Sequence, residues 1–249
     1  LDAQAPLSDP QHHDEMLFIV QHQVSELWMK LILHELDAAI AHVAADHPGP
    51  ALKKLSRVVQ VQRQLFAQWG VLETLTPSEY TEFRSVLGNS SGFQSAQFRA
   101  LEFVLGRKRE AYLEVFRHDP PTHEHLHARL HAPSLYDAFL QHLARQGHAI
   151  PREVLERDLS QTHRADSGVE DVLESIYRHR DKYWEAYEMS EKLVDVEHHF
   201  SLWRFRHMKT VERIIGFKRG TGGSSGVQYL RTGMDIRLFP ELIDVRTRL

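Results

Sequence analysis

The chain has 249 residues, of which 30 are lysine or arginine and 34 are aspartate or glutamate, so its formal net charge is −4. Hydrophobic residues make up 42% of it, which excludes wholesale disorder, and the weakly acidic balance argues against a general binder of nucleic acid or anionic membranes. The absence of cysteine excludes disulfides, zinc fingers, thiolate clusters and a cysteine nucleophile, which leaves the 18 histidines for metal ligation and acid–base chemistry.

Helical periodicity dominates the first half of the chain. Ser8-Asp9-Pro10 supplies a cap and a first-turn proline, and a period of about 3.6 in the apolar residues then predicts a helix to about Ala45. A helix-start signal at Thr76-Pro77-Ser78-Glu79 predicts a short helix that ends near Leu87. Further helices are predicted over 51–70, 93–105, 109–118, 122–131 and 134–146.

The longest predicted helix begins near Val169 and extends to about Ile215. A stretch of this length without proline or glycine is unusual for a globular helix, so we allow for a break within it. A glycine-rich stretch follows from Gly216 to Gly226, and no strand pattern is convincing. Neither a signal peptide nor an apolar window long enough to span a membrane is present. The sequence predicts one all-α domain over 1–249, with long bundle helices and a glycine-rich loop.

Two pairs of residues, each four apart on a predicted helix, are candidates for a site. Phe18 and His22 share a face; His22 is either a half-buried histidine that hydrogen-bonds to Glu26 or part of a site. Tyr80 and Arg84 place a phenol beside a guanidinium, which suits a carboxylate. A surface arginine beside a partly buried tyrosine is the commoner outcome.

His207 lies on an apolar stripe of the longest predicted helix, which leaves two interpretations. It is either a satisfied core histidine or a ligand that reaches into an apolar pocket, as an axial haem ligand does. In the second case the neighbouring Arg204 and Arg206 could meet haem propionates. Ser90-Ser91-Gly92 precedes another predicted helix and adds backbone donors that favour an anion, although most such serines are only caps.

The glycine-rich stretch does not fit either phosphate-binding motif, because its spacing is wrong and both motifs require a preceding strand. It is either a flexible connector or a lid whose threonine and serine hydroxyls make polar contacts. A carboxylate-bridged metal bundle is disfavoured, since only one Glu-x-x-His motif occurs, at Glu124 and His127. The other clustered histidines are expected on solvated faces; they include His123, His125 and His131.

Four segments together resemble tryptophan 2,3-dioxygenases, the haem enzymes that open the indole ring. They are HHDEMLFIVQHQVSELW (12–28), LETLTPSEYTEFRSVLGNSSGFQS (72–95), LWRFRHMKTVERIIGFKRGTGGSSGV (202–227) and the FPEL–DVRT tail (239–247). They span nearly the whole chain in order, and the glycine-rich loop is highly specific. The resemblance favours the functional interpretation of each candidate above.

The resemblance implies an all-α homotetramer in the cytoplasm, with one haem b and its iron in each subunit and no nucleic-acid or membrane partner. It implies insertion of both atoms of the co-substrate O₂ across the indole C2–C3 bond of L-tryptophan. The product is N-formyl-L-kynurenine, and the reaction is the first step of the kynurenine pathway. Because both oxygen atoms enter the product, no external electrons are required, and the sequence contains no recognisable nicotinamide or flavin domain.

The resemblance also assigns roles to the cofactor side of the site. His207 matches the axial ligand of the haem iron, and Trp69, Ser91 and Gly92 match further haem contacts. His22 matches the distal histidine, whose neutral imidazole accepts the indole N–H and orients the ring.

On the substrate side, Phe18 matches the aromatic wall against the indole. Tyr80 and Arg84 match the pair that holds the substrate carboxylate. Ser91 matches a serine on the distal side, and Thr221 matches a loop residue at the amino-acid end of the substrate.

Two departures from the family pattern bear on these expectations. The chain starts late, so an upstream segment whose tyrosines reach a neighbouring subunit's site is expected to be missing, and Phe98 stands where relatives carry a tyrosine.

Two alternatives stay open. One is a relative that accepts other indoleamines, and the other is a haem-binding or haem-sensing helical protein without turnover.

Overall fold

The computed structural model describes residues 5–88 and 92–249, and within these ranges the chain forms helices and turns without a β-strand, which confirms the all-α prediction. The α-helices are α1 (Glu15–Ala44), α2 (Pro48–Leu72), α3 (Pro77–Phe83), α4 (Ala96–Val104), α5 (Pro120–His131), α6 (Leu135–Arg145), α7 (Arg152–Leu155), α8 (Ser167–Arg178), α9 (Trp184–Ile215), α10 (Val227–Thr232) and α11 (Pro240–Asp244). Short 3₁₀ turns cover Arg84–Leu87, Gly92–Gln94, Glu110–Phe116 and Val245–Thr247. None of the described helices is both long and apolar enough to cross a membrane.

The first helix begins later than predicted, because the predicted cap belongs to a loop. The amides of Leu7 and Ser8 donate to the Glu15 carboxylate at 2.7 and 3.1 Å, and the Ser8 hydroxyl accepts from the His12 amide at 2.9 Å. The segment before α1 therefore folds back over the first helical turn and buries Glu15. A carboxylate in this position is stabilised by the positive end of the helix dipole.

The longest predicted helix is two helices, α8 and α9, so the allowance for a break is confirmed. Residues 178–182 read RHRDK, and this charged run interrupts the apolar stripe that holds a helix against the core. The His179 ring hydrogen-bonds to the Ser175 carbonyl at 2.9 Å and closes α8.

Two shorter predicted helices also differ from the structure. The helix predicted over 93–105 begins only at Ala96, because Ser95 is its cap and its hydroxyl accepts from the Phe98 amide at 3.0 Å. The helix predicted over 109–118 is the 3₁₀ turn Glu110–Phe116, whose apolar side chains pack with α4 and α5 in a small second cluster.

The main core lies along α2, which packs against α1 on one side and α9 on the other. Leu36, Leu55 and Phe200 are almost fully buried there, and burial of each such side chain contributes roughly 1.5–3 kcal/mol. The Gln62 side chain of α2 donates to the Val196 carbonyl of α9 at 3.2 Å. These three helices form the frame that carries the candidate site.

Two buried carboxylates hold the C-terminal tail against this frame. Glu241 of α11 accepts hydrogen bonds from the Tyr136 hydroxyl at 2.9 Å, from His163 Nε2 at 2.6 Å and from the Asp166 amide at 3.0 Å. Glu197 of α9 accepts from the amides of residues 238 and 239 at 2.7 and 3.0 Å. The tail is thus tied to α6, α9 and the segment before α8.

Replacing Tyr136 with phenylalanine removes one hydrogen bond to the fully buried Glu241 carboxylate with little change in shape. Because no solvent reaches that carboxylate to replace the lost donor, we expect the free energy of unfolding to fall by about 1.5–3 kcal/mol. Urea denaturation at one fixed protein concentration measures the change. The control is Tyr183→Phe, since the partly exposed Tyr183 hydroxyl has no hydrogen-bond partner among the described residues. Equal losses in the two variants would contradict the prediction.

Candidate functional site

Phe18 and His22 lie one turn apart near the start of α1, with ring centroids separated by 4.2 Å. The Nδ1 atom of His22 is 2.7 Å from the Phe18 carbonyl oxygen. A carbonyl can only accept, so Nδ1 carries the proton and Nε2 of the neutral ring is left as an acceptor. His22 is an exposed residue, but the protein atoms packed around its ring lower its pKa. The hydrogen bond to Phe18 and the charge of Glu26 oppose this lowering.

One interpretation of the sequence predicted a hydrogen bond between His22 and Glu26. In the structure Glu26 has a different hydrogen-bond partner. Its carboxylate and its carbonyl both accept from the Gln97 side-chain amide, at 2.7 and 2.9 Å. Gln97 belongs to α4, so this contact ties α4 to α1 one turn beyond His22. Glu26 therefore acts on His22 through its charge rather than through a hydrogen bond.

The short helix α3 places two aromatic rings against Phe18. It begins with the predicted capping box, in which the Thr76 hydroxyl accepts from the Glu79 amide and the Glu79 carboxylate accepts from the Thr76 amide. The ring centroids of Tyr80 and Phe83 each lie 5.8 Å from that of Phe18. Burial raises the pKa of Tyr80, so its hydroxyl remains a donor at neutral pH. The three rings form an apolar wall with one hydroxyl.

Arg84 follows Tyr80 by one turn and connects the end of α3 to the glycine-rich loop. Its Nη2 donates to the carbonyl of Arg219 at 2.5 Å. Thr221, two residues further along the loop, is partly buried. A guanidinium has five N–H donors, so a contact to one carbonyl leaves it able to bind an anion as well.

The glycine-rich loop, residues 216–226, is folded back on itself. The Gly220 amide donates to the Ser224 carbonyl at 3.1 Å. Gly226 has a φ of 61°, and a Cβ at this position would lie 2.6 Å from the Lys218 carbonyl oxygen. Because the closest approach of the two loop arms leaves no room for a side chain, the loop requires glycine there.

His207 of α9 lies in an aromatic slot between α9 and α2. Its ring stacks on the Trp69 ring with centroids 4.6 Å apart and planes 5° apart, and the Trp203 ring lies 6.0 Å away. Burial and, to a smaller extent, the nearby His22 together lower the pKa of His207 to about 4. The imidazole is therefore neutral at physiological pH. No hydrogen bond joins it to any of the described residues.

This slot has the properties that a porphyrin-bound metal requires of a protein. A neutral imidazole is a metal ligand, and the walls around it are aromatic. The indole N–H groups of Trp69 and Trp203 are buried without an acceptor in the described structure, so the slot has donor capacity that the chain does not satisfy. No group of three histidine, aspartate or glutamate side chains in the described ranges could hold a metal ion. A single imidazole suits a metal whose other ligands come from a macrocycle.

The two arginines beside His207 both form contacts with other parts of the chain. Arg204 is buried and donates to the Gly233 carbonyl. Arg206 makes a two-pronged contact with Glu73, in which Nε and Nη2 each lie 3.0 Å from a carboxylate oxygen. Sequence spacing could not reveal these structural contacts, because both partners are remote in the chain, and the role of the two arginines beside a haem stays a prediction.

The remaining predicted residues lie around the same region or outside the described one. Gly92 is exposed in a short 3₁₀ turn, whereas Ser91 lies outside the described residues. Phe98 joins the aromatic cluster, with its ring 5.6 Å from that of Trp203. On α5, His127 and His131 have rings 4.3 Å apart and both are exposed.

Sequence reasoning gave no site role to Phe83, Trp203 or the Arg219 carbonyl. Phe83 is three residues after Tyr80, and Trp203 is four residues before His207. These spacings place each of them on the same helix face as a predicted residue, and this signal could have found them. A backbone carbonyl carries no signal in residue type, so the contact to Arg219 needed the structure.

Comparisons with known proteins are consistent along the whole chain. A family model described as tryptophan 2,3-dioxygenase matches residues 1–176 and 161–249. The chain is 61% identical over 249 residues to a protein named tryptophan 2,3-dioxygenase from Serratia proteamaculans (strain 568), covering 100% of the chain and 89% of that relative. It is 57% identical to proteins of the same name from Kineococcus radiotolerans and Myxococcus xanthus, covering 100% of the chain and 87% and 86% of these relatives.

Proposed function

The chain belongs to the tryptophan 2,3-dioxygenase family, and we propose that the cluster around His22 and His207 is the site at which it adds dioxygen to L-tryptophan. An enzyme of this kind inserts both atoms of O₂ across the indole C2–C3 bond and gives N-formyl-L-kynurenine. The observation that carries the proposal is a neutral imidazole in an aromatic slot, with a second neutral imidazole close by and a guanidinium at the adjoining loop.

We propose haem b, one per subunit, as the cofactor, with His207 as the axial ligand of the iron. The low pKa of His207 supports this role, because the unprotonated nitrogen is the metal-binding form. Trp69 would line the haem on the His207 side, Gly92 would contribute a contact from the turn before α4, and Ser91 is proposed as a further contact. Bound haem supplies the activation of O₂, whereas the chain supplies binding, orientation and the exclusion of water.

His22 is proposed to orient the indole ring. Its Nδ1 proton is held by the Phe18 carbonyl, so Nε2 presents a lone pair to the pocket. The indole N–H of the substrate is a donor, and a hydrogen bond to Nε2 would fix the rotation of the ring. Phe18 would pack against the indole face, which supplies apolar contact where the ring has no polar group.

Arg84 and Tyr80 are proposed to bind the substrate carboxylate, with Thr221 at the amino-acid end. The Tyr80 hydroxyl stays protonated, and the Arg84 guanidinium can donate to a carboxylate while it also donates to the Arg219 carbonyl. The glycine-rich loop would then act as a lid, because the residue that binds the carboxylate also holds the loop.

We also propose that the chain is one domain over 1–249 and that the enzyme is a cytoplasmic homotetramer. Large apolar side chains are exposed on α1 and α9; for example, Leu27 is 67% exposed and Phe205 is 50% exposed. Exposed apolar side chains of this size on these two helices support an interface with another subunit.

His207→Ala should remove most of the haem, because the other rings of the slot, Trp69 and Trp203, have no nitrogen lone pair that could bind the iron. The measurement is the visible absorption band of the protein after reconstitution with hemin. His198→Ala, an exposed histidine on the same helix, is the control and should bind haem like the parent. Full retention of the haem band in the His207 variant would refute the axial assignment.

Arg84→Ala should raise the KM for L-tryptophan, because the substrate carboxylate loses its charged partner. For a pair that the bound substrate buries, the loss corresponds to roughly 2–5 kcal/mol. The KM for tryptamine, which lacks the carboxylate, should change much less. Arg63→Ala, an arginine exposed on α2, is the matched control. An unchanged KM for L-tryptophan would eliminate the proposed role, and equal use of both substrates by the parent would favour a broader indoleamine enzyme.

His22→Ala should lower the rate of product formation while the haem band is retained, since His22 orients the substrate and does not hold the cofactor. The variant should also lose the preference of the parent for L-tryptophan over N1-methyl-L-tryptophan, which has no indole N–H to donate. Loss of haem in this variant would mean that the two histidines have exchanged roles. Haem binding by the parent without any N-formyl-L-kynurenine would support a haem-binding protein without turnover.

A further inference from the structure

A network of contacts beside His207 joins the end of α2 to α9. The residues involved are called the Glu73 clamp here: Phe66, Gly70 and Glu73 from the α2 side, with Arg206 and Thr210 from α9. The Glu73 carboxylate accepts from Arg206 through two parallel hydrogen bonds of 3.0 Å and from the Thr210 hydroxyl at 3.0 Å. A two-pronged arginine–carboxylate contact fixes orientation as well as distance.

The hydrogen bonds of the clamp come from more than one turn of α9. Arg206 and Thr210 are four residues apart, and Arg213 follows three residues later on the same face. Arg213 Nε donates to the backbone carbonyl of Glu73 at 3.1 Å. One residue at the end of α2 therefore receives hydrogen bonds from three positions along α9, so it resists both sliding and rotation of α9.

The Arg206 guanidinium also packs closely against the surface of α2. Its Nη1 donates to the Phe66 carbonyl at 3.0 Å, and the guanidinium carbon lies 4.7 Å from the centre of the Phe66 ring. A Cβ on Gly70 would lie 3.1 Å from Arg206 Nη2. Glycine is unfavourable inside a helix, but at this position it provides the space that the guanidinium occupies.

The clamp is directly connected to the proposed iron ligand. Arg206 precedes His207 in the chain, and Trp69, which stacks on His207, lies one helical turn before Glu73. A side chain reaches roughly 5–6 Å from its helix axis, so a rotation of α9 by about 15° would displace the imidazole by about 1.5 Å. Metal–ligand distances tolerate only about 0.2 Å, so ligation needs α9 to be fixed.

We propose that Glu73 is a positioning residue for His207, acting through Arg206 to fix the turn of α9 that carries the imidazole. The proposal rests on the proposed function, in which His207 ligates haem iron. It goes beyond that function because Glu73 and Gly70 touch neither substrate nor cofactor in it. Their part is to hold the Trp69–His207 stack in one orientation.

The test compares haem-loaded Glu73→Gln with the parent. Glutamine keeps the shape of the side chain but loses the charge that pairs with Arg206. We expect the iron–histidine stretching band in the resonance Raman spectrum of the ferrous protein to shift or broaden. We also expect haem transfer to excess apomyoglobin to become about tenfold faster, the lower end of the effect typical of residues that orient a metal ligand.

Glu191→Gln is the matched control, because it breaks a contact of the same kind on the same helix far from His207. Glu191 pairs with Arg246 at 2.6 Å and accepts from the Tyr177 hydroxyl. A general loosening of α9 would alter the control as well, whereas the proposed positioning role leaves its Raman band and its haem transfer rate unchanged.

Gly70→Ala is a second, independent variant, which keeps both charges and displaces the guanidinium. It should also shift or broaden the Raman band, and it tests the proposal if the glutamine variant does not fold. The proposal is overturned if the folded variants match the parent or if Glu191→Gln changes as much as they do. If the parent lacks an iron–histidine band, or if His207→Ala keeps it, the proposed function itself fails.

Discussion

The site depends on the burial of one uncharged imidazole between two helices. His207 stacks on Trp69, and burial keeps the His207 pKa near 4, so its nitrogen lone pair is available at neutral pH. The stack exists only if α2 and α9 keep one register, because the two rings belong to different helices. The core contacts of these helices, including the hydrogen bond from Gln62 to the Val196 carbonyl, therefore stabilise the fold and also hold the two stacked rings in place.

The two histidines of the proposed site differ in their hydrogen bonds and in their proposed roles. His207 makes no hydrogen bond to the described residues, which suits a nitrogen reserved for a metal. The His22 ring is fixed by a bond to its own helix at the Phe18 carbonyl, which selects one tautomer and directs the acceptor nitrogen away from the backbone. The hydrogen bond of His22, and its absence at His207 among the described residues, therefore suit the two imidazoles to different proposed roles, one in orienting the substrate and one in binding the metal.

Much of the fold and the core of the site were predictable from the sequence, whereas the links between distant segments were not. Apolar periodicity predicted the long helices, and the charged run before Tyr183 explains the break that periodicity alone left open. The resemblance directed attention to Phe18, His22 and His207, and in the structure the helices that carry them, α1 and α9, both pack against α2. The pairing of Arg206 with Glu73 was missed, because spacing within a helix cannot identify a partner more than a hundred residues away.

The burial of the C-terminal tail has a consequence for biosynthesis. Glu241 and Glu197 acquire their hydrogen-bond partners only when the tail lies against α6 and α9. Until residue 245 has emerged from the ribosome, the nascent polypeptide cannot complete this part of its interior. The helices synthesised earlier therefore stay incompletely packed until then. An interior that closes late keeps apolar surface exposed for longer during synthesis, and such surface favours aggregation.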